Sequence, residues 1–249
     1  MIKLNKVSKV FNKGKGNEVI ALRATDITIH QKEFVVVVGS NGSGKSTFLN
    51  LVAGSLFPTE GEIALQDKPV TKLAEYERSK WIARVFQNPL SGTASDLSIL
   101  TNFRLAALRT KPKNLTIGTD KAFKELVQQK LSTLKMGLEN KLDQPMGSLS
   151  GGQRQALTLL MSVMDDAKIL LLDEPTAALD PRSANFVMQT ADKLIKEFEL
   201  TAVLVTHNLK DAYGYGNRIL QFSDGKIVRD ISEEEKAKLE LNDLFSWFE

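Results

Sequence analysis

The chain has 249 residues, 42% hydrophobic and 25% charged, a composition that can bury the core of one large domain. Its net charge of +3 does not indicate a nucleic-acid surface, because the basic residues are spread along the chain instead of forming a run. The absence of cysteine excludes disulfides and thiolate metal sites and is compatible with a reducing cytosol.

Short strands are predicted at the N-terminus. Residues 1–31 alternate between apolar and polar side chains, and a turn-forming stretch at residues 12–17 divides them, which predicts a small antiparallel sheet. Residues 34–38 are a continuous apolar run that ends in glycine and leads to a helical run at 47–53. This pattern is typical of a strand buried on both faces of a parallel sheet, whose carboxyl end is where ligands bind.

A phosphate-binding loop follows that strand. Residues 39–46 read G-x-x-x-x-G-K-[ST], in which the glycines let several backbone N–H groups point at phosphate oxygens. We expect Lys45 to reach the β- and γ-phosphates of ATP and Ser46 to bind Mg²⁺. A glycine-rich turn without a ligand is the alternative. The predicted nucleotide-binding residues of this segment are Gly39, Ser40, Asn41, Gly42, Ser43, Gly44, Lys45, Ser46 and Thr47.

Helical periodicity dominates residues 88–164, which predicts an inserted helical subdomain. Inside it, the pentapeptide LSGGQ stands at the head of the helical run 153–164. A serine hydroxyl and the first N–H groups of a helix can bind phosphate at such a position. The residues of this signature are Leu149, Ser150, Gly151, Gly152 and Gln153.

Parallel strands are predicted again after the insert, at residues 169–172 and 202–205, with a helical stretch at 183–198 between them. The first of these strands ends in Asp173 and Glu174, which matches the second metal-binding motif of phosphate-loop ATPases. Adjacent acids at a strand end are otherwise a solvated turn. A terminal hairpin is predicted at residues 219–228.

The phosphate loop and the signature pentapeptide together resemble the nucleotide-binding subunit of an ATP-binding cassette (ABC) transporter, and the resemblance covers nearly the whole chain. It implies an α/β P-loop NTPase fold, with an ABC-type ATPase core, an N-terminal antiparallel β-subdomain and an inserted α-helical subdomain. The single domain at 1–249 is expected to comprise the core at 1–87 and 165–232, the helical signature subdomain at 88–164 and a helical tail at 233–249.

The resemblance also implies roles for individual side chains. Asp173 is expected to hold Mg²⁺ and Glu174 to act as the general base toward the attacking water. Gln87 would contact both the metal and that water, and His207 would hydrogen-bond the γ-phosphate. A structural role is the alternative for His207. With Lys45, these residues form the predicted catalytic set, and the predicted metal ligands are Ser46, Gln87 and Asp173.

In this family the signature of one subunit closes over ATP held by the phosphate loop of a second, so the resemblance implies a head-to-tail dimer. Asp180 matches the family's dimer-contact loop. A helix N-cap is the alternative for Asp180, since Pro181 follows at a natural first helical position, and both interpretations can hold. Phe11 lies where family members stack an aromatic ring on adenine; burial in the core is its alternative.

Two further patterns need interpretation. Residues 140–143 fit the N-K-x-D pattern that reads guanine in GTPases, but no buried strand precedes them, so we interpret the match as a coincidence. Residues 233–249 begin with charged side chains and end with Leu241, Leu244, Phe245 and Phe248 on one predicted helical stripe, which we expect to pack on the same domain. A partner-binding or membrane-surface role is the alternative, and the acidic side chains around the stripe disfavour anionic lipid.

The resemblance implies an Mg-dependent ATPase that powers solute import through separate permease subunits at the cytoplasmic face of the membrane. Its own apolar runs at 34–38 and 169–172 are too short to span a bilayer. Residues 85–106 resemble a subgroup that works with binding proteins for amino acids, so we expect a substrate-binding protein and amino-acid cargo, and no nucleic acid. One alternative is a soluble cassette ATPase that acts on the ribosome or on DNA. Another is a small-molecule kinase, but a kinase would leave the signature without a role.

Overall fold

The computed structural model describes residues 1–111 and 118–248. Residues 112–117 of the predicted helical subdomain and Glu249 of the predicted tail lie outside the described residues. The strands are β1 Ile2–Phe11, β2 Val19–Ile29, β3 Phe34–Gly39, β4 Glu60–Leu65, β5 Lys68–Pro69, β6 Ile82–Val85, β7 Ile169–Asp173, β8 Thr201–Val205, β9 Arg218–Ser223 and β10 Lys226–Ile231. The helices are α1 Lys45–Ala53, α2 Glu75–Arg78, α3 Ile99–Ala107, α4 Lys121–Ser132, α5 Gly151–Ser162, α6 Pro181–Glu197, α7 Leu209–Gly214, α8 Glu233–Lys236 and α9 Leu241–Ser246.

The N-terminal sheet is antiparallel, with the strand order β2-β1-β4-β5. Ile2 lies opposite both Ile29 of β2 and Leu65 of β4. Ile2 and Leu4 of β1 are buried on alternate positions, as expected for a strand with one face on a core, and Val7 is buried after an irregularity that shifts the register between Leu4 and Val7. The predicted antiparallel sheet is confirmed, and β4 and β5 extend it beyond the segment identified from the sequence.

The second sheet carries the site. Its order is β10-β9-β3-β8-β7-β6, parallel from β9 to β6 and antiparallel between β9 and β10. Every residue of β3 is buried, as predicted for a strand covered on both faces. Val205 of β8 lies opposite Val37 of β3 and Asp173 of β7, so the carboxyl ends of these strands form one edge.

Two hydrophobic clusters lie on opposite faces of this sheet. One contains Val36 and Leu172 and extends to the helices α3, α4, α5 and α6. The other contains Val37 and Leu171 and fills the space around α1 and the antiparallel sheet. Because close packing on both faces fixes the strands, the residues that follow their carboxyl ends are attached to a rigid base.

The inserted part is helical, and α4 buries Phe123, Val127 and Leu131 toward the core while Leu126 is exposed. Residues 140–143 begin at the last residue of a short 3₁₀ turn that comes after α4, and no strand precedes them, which agrees with reading their GTPase-like pattern as a coincidence. Within residues 1–111 and 118–248, no helix has both the length and the apolar character required to cross a bilayer.

The tail packs back on its own domain through α9, which contacts α7. Leu244 is fully buried, and Leu241 and Trp247 cover the cluster that also contains Leu172. Phe245 and Phe248 are exposed, so the prediction of a single buried stripe is wrong for these two side chains. Because α9 is short and ends at Ser246, Trp247 packs inward in their place.

Candidate nucleotide site

The phosphate loop joins β3 to α1 in a tight curl. Gly44 has φ +105°, and a Cβ atom at this position would lie 2.6 Å from the carbonyl oxygen of Ala21, so only glycine fits. The buried Lys45 ammonium donates hydrogen bonds to the carbonyls of Gly39 at 2.8 Å and Ser40 at 2.9 Å. The side chain therefore spans the loop and points its charge into the curl.

The electrostatics of the loop favour an anion. Burial lowers the pKa of Lys45, and the negative charge of Glu174 opposes this shift. The Ser43 hydroxyl is buried and has no hydrogen-bond partner among the described residues. A buried, unpaired hydroxyl is costly unless a ligand satisfies it, and phosphate oxygens are suitable acceptors. The loop thus fits the phosphates of a nucleotide.

The proposed base and histidine meet at the ends of β7 and β8. Glu174 has a left-handed backbone, φ +45°, and its N–H donates to the carbonyl of Val205 at 2.9 Å. Its Oε2 lies 3.1 Å from Nδ1 of His207, with side-chain exposures of 19% for Glu174 and 61% for His207. This backbone conformation is uncommon for a non-glycine residue, and the surrounding structure must hold it in place.

Asp173 forms an ion pair that the sequence analysis did not identify. Its Oδ2 accepts a hydrogen bond from Arg84 Nη2 at 2.8 Å. The same Nη2 bonds Asn50 Oδ1 at 2.7 Å, and the guanidinium lies 4.6 Å from the ring centroid of Phe86. The available signal was an arginine inside the short apolar run 82–85, directly before the segment that contains Gln87.

The predicted metal ligands have the right chemistry for Mg²⁺, which prefers hydroxyl, carboxylate and amide oxygens. Ser46 is exposed at the start of α1, Asp173 ends β7, and the exposed Gln87 follows β6. Since β6 and β7 are neighbours with Val85 opposite Leu172, Gln87 emerges at the same sheet edge as Asp173. These residues fit the metal, and the structure brings the predicted catalytic set to one edge.

The signature lies at the start of α5, in the helical part of the fold. Ser150 is the N-cap of α5: its hydroxyl accepts from the Gln153 N–H at 3.3 Å, and Gln153 Oε1 accepts from the Ser150 N–H at 3.1 Å. The exposed hydroxyl keeps its own hydrogen for another acceptor. Among the described residues, no hydrogen bond joins this pentapeptide to the phosphate loop.

Asp180 caps α6, as one interpretation of the sequence expected. Its Oδ1 accepts from the N–H groups of Arg182 at 3.1 Å and Ser183 at 3.0 Å. Hydrogen bonds from Ser183, first from its side chain, lower the pKa of Asp180. A Cβ atom on Gly152 would lie 2.8 Å from the Ser183 side chain, so the signature helix packs directly on this capped turn.

Phe11 is only partly buried at the end of β1. The Lys9 ammonium lies 5.2 Å from its ring centroid. The ring is therefore not enclosed in the core, the alternative considered from the sequence, and it can offer aromatic surface to a base.

A curled phosphate loop between the buried strand β3 and a helix, with an Asp-Glu pair at the end of β7 on the same edge of the sheet, defines a P-loop ATPase, and the signature at the start of α5 narrows the class to the ATP-binding cassettes. A family model described as "ABC transporter" matches residues 22–177. The chain belongs to the ABC transporter family.

Related proteins agree with this assignment. A tyrosine transport ATP-binding protein of Clostridioides difficile is 38% identical over 249 residues, covering 100% of this chain and 99% of the relative. A phosphonates import ATP-binding protein of Haloquadratum walsbyi is 35% identical, covering 92% of this chain and 78% of the relative.

Solved structures match over most of the chain. A dimeric ATP-binding cassette in a post-hydrolysis state, bound to ADP and Pi, has a TM-score of 0.79 and 29% identity, with 94% of this chain and 99% of that chain covered. The predictions of an ABC ATPase fold and of ATP hydrolysis are confirmed. The protein is an ATP-hydrolysing subunit of a class that dimerises and works with transmembrane subunits.

Proposed function

We propose that two copies of the chain enclose ATP head to tail, so that the phosphate loop of one copy and the signature of the other contact the same nucleotide. The main support is that the phosphate-loop site and the signature are not joined within one chain. Lys45, Glu174 and His207 converge at the sheet edge, whereas the Ser150 hydroxyl at the start of α5 makes no hydrogen bond to the phosphate loop. A second copy would bring a signature to each loop.

The proposed hydrolysis begins with the Glu174 carboxylate, which accepts a proton from water as the water oxygen bonds to the γ-phosphorus. The bond from that phosphorus to the ADP oxygen breaks. Lys45 compensates the charge of the β- and γ-phosphates, and His207, held by Glu174, donates toward the γ-phosphate. Ser46, Asp173 and Gln87 would hold Mg²⁺, which neutralises phosphate charge when bound. Phe11 would stack on adenine.

The surface proposed for the permease is a groove of about 640 Å³ between the core and the helical part. Gly92 and Ala94, in the segment after Gln87, line it together with Tyr76 and Leu105. Tyr76 is 80% exposed and Leu105 52% exposed, and apolar side chains gathered around a groove are typical of a protein-binding surface. A cytoplasmic loop of a permease bound there would contact the segment that begins at Gln87.

The proposed cargo is an amino acid, imported with the help of a substrate-binding protein, and the proposed location is the cytoplasmic face of the membrane. Residues 85–106 support an amino-acid system by resemblance, and the relative named for tyrosine transport matches over the full length of this chain. The phosphonates relative matches over less of its length. Since the cargo does not contact this subunit, the proposal of an amino-acid cargo rests on similarity to related proteins and not on a binding site in this chain.

The test is purification of tagged Glu174→Gln protein from its native host in detergent with ATP, followed by mass spectrometry. A polytopic permease and a substrate-binding protein should co-purify, and their relatives would identify the cargo. Leu105→Glu in the same background should lose the permease, whereas Leu126→Glu, an exposed leucine outside the groove, should retain it. Recovery of ribosomal proteins or nucleic acid, without a membrane partner, would refute the transport role.

A further inference from the structure

Gln155 of the signature helix α5 reaches out of its own helix into two loops of the site. The side chain is 1% exposed. Its Nε2 donates one hydrogen bond to the carbonyl of Phe86 at 2.8 Å and another to the carbonyl of Pro175 at 3.0 Å. Phe86 directly precedes Gln87, and Pro175 directly follows Glu174, so a single amide group joins the two segments that carry these side chains.

Both carbonyls lie just beyond paired strands. β6 ends at Val85 and β7 at Asp173, so Phe86 and Pro175 lie outside the ladder between these two strands. A buried carbonyl without a ladder partner requires another donor. Gln155 donates both hydrogens of its side-chain amide to these carbonyls. The two hydrogen bonds fix the carbonyls relative to each other and to α5.

The other buried polar side chains of α5 have different partners. Arg154 donates to carbonyls in residues 146–149, Thr158 to the carbonyl of Arg154, and Ser162 to the carbonyl of Leu159. Their bonds stay within the helical part. Among these buried polar side chains of α5, only Gln155 bonds to the segments that follow β6 and β7.

We propose that Gln155 is a positioning residue for ATP hydrolysis, which sets the placement of Gln87 and Glu174 according to the position of the signature helix. Gln155 lies about 7.5 Å along the helix axis from Ser150 at the usual rise per residue. Because a helix moves as a rigid element, a displacement of Ser150 on meeting the second copy's nucleotide is transmitted to both carbonyls. The inference rests on the proposed roles of Gln87 and Glu174.

The test replaces Gln155 by methionine, which keeps the length and approximate volume of the side chain and removes both donors. We expect kcat for ATP hydrolysis to fall about tenfold or more, since a small misplacement of reacting groups has effects of this size. The Kd of the isolated subunit for ATP should change less than about twofold, because the phosphate loop is untouched. Thr158→Val is the matched control: it removes a buried hydroxyl on the same helix and should leave kcat unchanged.

Hydrogen exchange provides a readout that does not depend on which residue is the base. Peptides covering residues 86–92 and 174–180 should exchange faster in Gln155→Met than in wild type, and at the wild-type rate in Thr158→Val. If Gln155→Met does not fold, Gln155→Asn, which is shorter by one methylene and cannot reach both carbonyls, takes its place.

A kcat within about twofold of wild type overturns the inference, even if exchange is faster. An equal loss of kcat in Thr158→Val also overturns it, since the effect would then come from general destabilisation of α5. Turnover by Glu174→Gln near the wild-type rate is a different outcome: it contradicts the proposed role of Glu174, while the exchange data would still report on the hydrogen bonds of Gln155.

Discussion

Glu174 shows how the backbone, and not only the side-chain type, prepares a residue for chemistry. Its left-handed conformation is held by the hydrogen bond from its N–H to the carbonyl of Val205, and its carboxylate then meets His207 at 3.1 Å. The surrounding strands are buried on both faces, so they can hold this strained geometry. A carboxylate fixed in this way can accept a proton without first reorienting.

Glu174→Gln preserves the size and polarity of the side chain but removes its basicity. We expect kcat to fall by about a hundredfold or more, the usual contribution of general base catalysis, with little change in the Kd for ATP. A phosphate-release assay with saturating ATP measures the first quantity and equilibrium binding the second. Near-normal turnover would show that another group accepts the proton.

The ion pair between Arg84 and Asp173 leads to a second prediction. Its bond to Asp173 restricts rotation of the carboxylate, and its positive charge also disfavours a nearby cation. We expect orientation to dominate, since partners that hold a metal ligand typically affect metal affinity or activity by about tenfold or more. Arg84→Met should therefore raise the Mg²⁺ concentration required for half-maximal ATPase activity.

The control is Arg23→Met, an exposed arginine of the antiparallel sheet. It should leave the Mg²⁺ dependence unchanged. An Arg84→Met protein that needs less Mg²⁺ than wild type would mean that charge repulsion, and not orientation, is the main effect of Arg84.

Motifs located the loop residues, Asp173, Glu174 and His207 because each lies at a fixed place relative to a strand end. Arg84 and Gln155 were not predicted. Gln155 contacts backbone carbonyls, which every residue has, and Arg84 pairs with an acid far away in sequence, so no local pattern marks either side chain. Their contacts are visible only after the parallel sheet brings β6 beside β7.

Among the strands and helices, the completely buried strands had the clearest sequence pattern. β3 and β7 could be predicted because almost all their side chains are apolar. β6 was missed because it is short and contains Arg84. The strands β4 and β5 were missed as well, since Glu60, Glu62 and Lys68 make this stretch read as a polar loop.

The C-terminal tail is anchored by a half-buried lysine of α8. The Lys236 ammonium donates to the carbonyls of Tyr215 and, at 2.8 Å, Gly216, just after α7. Burial lowers the pKa of Lys236 to about 8. Because α7 follows His207 and contacts α9, this bond helps to fix the element nearest to the histidine.

The lowered pKa of Lys236 makes the stability of the protein depend on pH. The folded protein releases the Lys236 proton at lower pH than the unfolded chain, so between pH 8 and the ordinary lysine range the unfolded state holds more protons. The free energy of unfolding should therefore rise with pH in this window, and that contribution should be lost as pH falls through about 8. Urea unfolding of wild type and Lys236→Met at pH 7 and pH 9.5 measures the difference.

We expect wild type to gain stability relative to Lys236→Met between these two pH values. The comparison with Lys236→Met at each pH cancels the contributions of all other titrating groups, since both proteins contain them. The same difference at both pH values would show that the Lys236 pKa is not depressed in the folded state.

In the whole molecule, we propose that the two parts of the fold carry complementary halves of a site that two copies complete. The sheet edge offers the phosphate loop, Glu174 and His207, and the helical part offers the Ser150 hydroxyl at the start of α5. Residues 1–87 and 165–232 remain the predicted core and 88–164 the predicted signature subdomain. The fold class followed from the motifs and strand patterns, whereas the position of the signature relative to a second copy depends on a molecule outside this chain.

The most direct test of this two-copy site is sedimentation of Glu174→Gln protein with ATP. We expect a dimer with ATP and a monomer with ADP. Adding Ser150→Arg should leave a monomer that still binds ATP, because the larger charged side chain blocks the signature, whereas Ser132→Arg, the same change at an exposed position of α4, should still dimerise. A Glu174→Gln/Ser150→Arg protein that dimerises with ATP as readily as Glu174→Gln would contradict the proposal that the signature closes over the second copy's nucleotide.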